Sequence, residues 1–160
     1  MSTRATIVIN NSDGERVIAI YKHCDGYIHG GLGAEIFRFM SKRDLVNGIP
    51  FGTENTGKVW VNGLGDLAAQ LVVQLKGSAD NYGGVYIMEN NEEIHGDVEY
   101  IYNITPSNSL LCPPKKCPHC GQNITTSSWK IEVIRHDASI FTGTPDEALV
   151  YFGRNKNKPL

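Results

Sequence analysis

The sequence has no apolar run approaching the roughly 18 residues that would cross a bilayer. Its opening, Met1-Ser2-Thr3-Arg4-Ala5-Thr6, lacks the apolar core of a secretory leader. No membrane association is expected, and a cytoplasmic location is. There is also no internal repeat and no low-complexity tract. The net charge is only −2, so no global field draws the chain toward nucleic acid. Lys and Arg are missing from residues 79–100, which carry Asp80, Glu89, Glu92, Glu93, Asp97 and Glu99. That is the pattern of a solvated hairpin face, with too few acids to imitate a nucleic acid. The opposite bias closes the chain, where Arg154, Lys156 and Lys158 stand without an acid in a predicted flexible basic tail, residues 154–160.

What is present is ordinary for a globular domain. The 160 residues are 41% apolar and 20% charged, and a chain of this length buries roughly 68–70% of its unfolded surface. One domain over residues 1–153 is expected. Residues 3–9 alternate, residues 16–21 read as a second strand, and the two flank the turn-rich Asn10-Asn11-Ser12-Asp13-Gly14, which predicts a hairpin. A helix is expected over residues 33–43, with Ile36, Phe39 and Met40 inward. Residues 47–63 read mainly as loop, with a short strand at 58–61. Leu64, Leu67, Ala68, Leu71, Val72 and Leu75 form one helical stripe, with Gly77 placed to cap it.

Residues 85–88 and 98–104 read as strands joined through Asn90-Asn91-Glu92-Glu93, residues 129–135 alternate as another, and 139–141 read as a short one. Thr144-Pro145-Asp146-Glu147 is a helix start with a hydroxyl cap, Pro at the first position and Glu at the third, and Gly153 stops that helix. The pattern predicts an α+β fold. It is a mostly antiparallel sheet with two to three helices packed on one face and a long Cys-containing loop.

That loop, residues 105–128, is far longer than a common hairpin connection. It holds Cys112, Cys117 and Cys120, the last two spaced as a knuckle that presents two thiolates to one tetrahedral zinc. In a reducing compartment, thiols read as metal ligands before disulfides. A fourth ligand must come from elsewhere, and Cys24 is the best candidate, followed by His23, His29, His95 and His136. Four protein ligands close the coordination sphere, so the expected zinc is structural. Lys115 and Lys116 beside the knuckle open a reading as a zinc-knuckle nucleic-acid binder. Without an aromatic stacking platform, nucleic acid is not the expected partner.

The second cluster is His23-Cys24-Asp25-Gly26-Tyr27-Ile28-His29-Gly30-Gly31-Leu32-Gly33. A polar loop leading through glycines into a helix is a common place for function, and His23, Asp25, Tyr27, His29, Gly30 and Gly31 are its candidate ligand-binding residues. A small hydrolase or transferase would use Cys24 as thiolate, a histidine as base and Asp25 as orienter, although such partners normally converge from distant segments. Gly30, Gly31 and Gly33 would offer an anion their amides at a helix start, but Gly-Gly-x-Gly matches neither phosphate-binding fingerprint. The plainer reading is a tight turn at Asp25-Gly26 with Tyr27 packed on the helix.

Met1-Ser2-Thr3-Arg4 and Ile20-Tyr21-Lys22-His23-Cys24-Asp25-Gly26-Tyr27 resemble a group of small uncharacterised tailed-phage proteins. Those proteins open with Met-Ser-Thr-Arg and carry a Tyr-x-His-x-Asp-Gly-Tyr segment. Asp97-Val98-Glu99-Tyr100-Ile101-Tyr102 and Gly143-Thr144-Pro145-Asp146-Glu147 resemble their later strand and last helix start. Position 24 departs from the group, with Cys24 where a Trp is usual. The resemblance implies a phage or prophage origin, one compact domain and no particular chemistry. Together with the lack of a complete catalytic set, it leads to an expected non-enzymatic accessory protein that binds a host protein or small molecule, such as a defence or signalling factor. The oligomeric state is left open.

Overall fold

The first turn is built by one side chain. Asn11 Oδ1 accepts hydrogen bonds from the amides of Asp13 (3.0 Å) and Glu15 (2.8 Å), while Gly14 takes a left-handed φ of 85°. Side-chain acceptors that mimic a backbone turn are what Asn supplies in such loops. The turn joins β1 (Ala5–Asn10) to β2 (Arg16–Lys22) as an antiparallel pair, with Ile7 opposite Ile20.

This computed structural model describes residues 2–46, 58–78, 84–89, 93–94, 96–110, 115–116, 121 and 123–154. After the hairpin come α1 (Leu32–Ser41), β3 (Arg43–Val46), β4 (Val59–Asn62), α2 (Gly63–Lys76) and β5 (Val85–Met88). The chain continues with β6 (Tyr100–Leu110), β7 (Lys115–Lys116), β8 (Asn123–Ile124), β9 (Thr126–Arg135), β10 (Ala138–Gly143) and α3 (Pro145–Arg154). The main sheet has the order β4-β3-β9-β6-β1-β2-β5, with β10 also paired to β9, and β7 with β8 forms a separate ribbon. Among the described strands, only β1 with β6 and β3 with β4 run parallel. The fold is therefore α+β, with a mostly antiparallel sheet and three helices.

One core joins the sheet to the helices. Ile7, Ile20, Tyr102, Trp129, Ile131 and Val133 meet Ile36, Phe37 and Met40 of α1, Leu67 and Leu71 of α2, and Phe152 of α3. Each such side chain contributes about 1.5–3 kcal/mol on burial. Val8, Ala19 and Met88 are also buried, outside that cluster, and lie side by side in register on the other face of the sheet. No helix among the described residues is long and apolar enough to cross a membrane.

The two strong helix signals hold. Leu67, Ala68, Leu71 and Leu75 are the buried residues of α2, and Gly77 ends it at φ 73° with its amide on the Val73 carbonyl. At α3 the capping box is closed in both directions. The Thr144 amide donates to Glu147 Oε2 (2.7 Å) and the Glu147 amide donates to Thr144 Oγ1 (3.2 Å). Hydrogen bonds from the amide and hydroxyl of Thr144 hold the Glu147 carboxyl below its usual pKa of 4.5.

Four expectations need correction. The first helix stops at Ser41, because Arg43 opens β3: the buried Trp129 indole donates to the Arg43 carbonyl at 3.0 Å. The segments at 85–88 and 98–104 do not pair with each other, because β5 joins β2 while β6 runs between β1 and β9. Residues 105–110 and 126–128 extend β6 and β9, so the loop between them is shorter than 105–128. The last helix passes Gly153 and ends at Arg154, whereas 155–160 lie outside the described residues.

Candidate functional site

The polar loop between β2 and α1 is fastened to the sheet by its backbone. Asp25 adopts a left-handed φ of 59°, which brings Gly26 onto β1: a Cβ there would stand 2.7 Å from the Ala5 Cβ. The Gly26 amide donates to the Thr3 carbonyl (2.9 Å), and its carbonyl accepts from the buried Tyr102 hydroxyl at 2.8 Å. Burial holds the Tyr102 phenol well above its ordinary pKa, so it stays a neutral donor.

The loop carbonyls then cap the helix. Asp25 O takes the Leu32 amide (2.8 Å), Tyr27 O the Gly33 amide (3.2 Å) and Ile28 O the Ala34 amide (3.0 Å). The orphan donors of a helix start are thereby satisfied within the chain, and those three amides are not free to meet an anion.

The candidate residues diverge from this scaffold. His23 is exposed, with Nδ1 3.2 Å from the Tyr21 hydroxyl and its amide on the Gly84 carbonyl. His29 points toward α3, its ring edge-on to Phe152 with centroids 6.1 Å apart, and its Nε2 is buried without a hydrogen-bond partner. Asp25, Tyr27, Gly30 and Gly31 line one cleft; His23 and His29 do not. Ser2 Oγ donates to the His23 carbonyl at 2.5 Å, but no serine or cysteine side chain hydrogen-bonds the imidazole ring of either histidine among the described residues.

Cys24 is an exposed free thiol that accepts from Ser2 Oγ at 3.2 Å. Cys112, Cys117 and Cys120 lie outside the described residues, and no metal-holding group of His, Cys, Asp and Glu occurs among the described ones. Comparison with protein-family models, curated proteins and solved structures returns no match.

The cleft, of about 680 Å³, lies beside α1 where β3 begins. Lys22, Arg38, Lys42 and Arg43 line it together with the carboxylates of Asp25 and Glu35, so cations outnumber acids four to two in a chain of net charge −2. Tyr27 and Val59, 39% and 49% exposed, add apolar surface. Arg43 is half-buried, and desolvation pulls its guanidinium below the usual pKa. It is fixed by hydrogen bonds from Nε to Gln70 Oε1 and from NH1 to the Phe39 carbonyl, both 2.9 Å.

Sequence reasoning passed over Arg38, Lys42 and Arg43. The available signal was a like-charge pair at i, i+4, Arg38 and Lys42, which weakens an isolated helix.

Proposed function

We propose that this chain is a non-enzymatic binding protein, a phage accessory protein that engages a host component. The observation that carries the reading is the divergence of the polar loop. Asp25 and Tyr27 share one cleft that neither His23 nor His29 lines, and the two histidines face different partners, Tyr21 and Phe152, whereas acid–base or nucleophilic catalysis needs all four around one reacting atom. The loop's backbone instead serves as a rigid mount for α1, and preorganised surfaces favour binding because less is lost in ordering them. The host setting rests on the resemblance to tailed-phage proteins. The zinc of Cys24, Cys112, Cys117 and Cys120 belongs to the same reading as a structural staple.

Affinity capture from a bacterial host lysate tests it. A stoichiometric component retained by the wild type, with no chemical change on incubation, is the expected result. A substrate consumed by the wild type and untouched by Cys24→Ala or His23→Ala would establish the hydrolase or transferase reading instead.

A further inference from the structure

Arg43 is the least ordinary charge in the described molecule. Its guanidinium carbon stands 3.4 Å from the Phe39 ring centroid, and its hydrogen-bond partners are a neutral amide and a carbonyl. The nearest carboxylate in that chain of contacts, Asp66, is reached only through Gln70, whose Nε2 donates to Asp66 Oδ2 at 3.1 Å. Arg38 uses Nε on the Ala34 carbonyl. None of Arg38, Lys42 and Arg43 has an ion-pair partner among the described residues. A partly desolvated cation without a counter-ion is unfavourable unless something arrives to neutralise it. Stacking on Phe39 and anchoring by Gln70 also hold the guanidinium in one orientation, which suits the planar, two-point recognition that arginine gives to carboxylate and phosphate.

We propose that the cleft beside α1 binds a small organic anion, a phosphate ester or polycarboxylate, with Arg43 as the fixed anchor and Arg38 and Lys42 as outer cations. Its volume lies within the range of small-molecule sites, about 300–1,000 Å³. Tyr27 and Val59 offer apolar contact to the uncharged part of the ligand. The inference rests on the reading of the chain as a binder and names what it binds.

Titration calorimetry with adenosine monophosphate, inorganic phosphate and citrate as separate probes tests it. Adenosine monophosphate or citrate should bind, more weakly as salt rises. Binding by the monophosphate but not the free ion would assign the source to a nucleotide, and binding by citrate alone to a carboxylate. Arg38→Gln with Lys42→Gln removes two exposed charges and should weaken binding about tenfold without altering the fold. Arg43→Lys should lose more than its retained charge would suggest, and circular dichroism would show whether it folds.

No binding by any probe, or equal binding by the Arg38→Gln/Lys42→Gln variant, overturns the site. If a host component is still captured in that case, the broader reading survives alone. Conversion of a bound probe, seen by phosphorus NMR, would keep the site and remove the non-enzymatic reading.

Discussion

Gly33→Ala should destabilise the protein although it replaces glycine with the best helix former in a helix's first turn. The φ of Gly33 is not left-handed, so backbone strain is not the reason. A Cβ there would stand 2.8 Å from the Tyr102 hydroxyl and 2.9 Å from the Ile28 Cα. Propensity favours alanine by about 1 kcal/mol, whereas forcing a methyl into a packed site costs about 1–3 kcal/mol. The Tyr102 hydroxyl cannot yield freely, because it donates to the Gly26 carbonyl at 2.8 Å. Steric cost should win, leaving a net loss of up to about 2 kcal/mol, or up to about 4–8 °C in Tm for a chain this long.

Tyr102→Phe alone should lose about 1–2 kcal/mol by orphaning the Gly26 carbonyl. Because it also removes the nearest obstacle, the double variant should lose less than the two single losses together, by at least about 0.5 kcal/mol. Urea unfolding followed by tryptophan fluorescence reads all three. A stabilised Gly33→Ala, or strict additivity, would refute the close approach of α1 to Tyr102.

Thr144→Ala should cost about 1 kcal/mol by opening the capping box of α3, measured by urea unfolding. The Glu147 carboxyl is depressed in the folded state, so its contribution is present above the usual value of 4.5 and fades as pH falls through the lower folded value. Glu147→Gln should therefore have a flatter stability profile across that acid range than the wild type. Trp129→Phe should lose about 1–2 kcal/mol with the indole bond to Arg43, and should loosen β3 first in hydrogen exchange. The four-cysteine staple predicts about one zinc per chain by elemental analysis, lost in Cys117→Ser. A content below about 0.2 in the wild type would remove it.

Local chemistry was legible wherever a side chain acts on its own neighbourhood. Asn11, Gly77 and the Thr144–Glu147 box each set a turn or terminus within a few residues, and each sits where the pattern placed it. The strand β3 was not legible, since Arg43 reads as the polar end of a helix over 33–43. Its reasons to be a strand lie far away, in the Trp129 indole and in Lys58, whose Nζ is 3.3 Å from the buried Asp44 carboxylate. The same holds for β6, where period and composition mark a strand but cannot say that it lies against β1. In the cleft, Asp25 and Tyr27 belong to a conspicuous motif, whereas Arg38, Lys42 and Arg43 look like common surface charges. Only the lack of counter-ions among the described residues sets them apart, and pairing is a property of three-dimensional neighbours.

The placement of β1 bears on how the molecule comes together during synthesis. Its hairpin partner follows within a few residues, but its other flank is filled by a strand that begins at Tyr100. Local hairpins close in about 1–10 μs, whereas distant pairing must wait for the intervening chain. A nascent polypeptide halted before β9 would present β6 with one bare edge, an invitation to misassembly that chaperones ordinarily shield. Ribosome-bound chains ending near residue 120 should accordingly stay protease-sensitive, and those extended through α3 should become resistant.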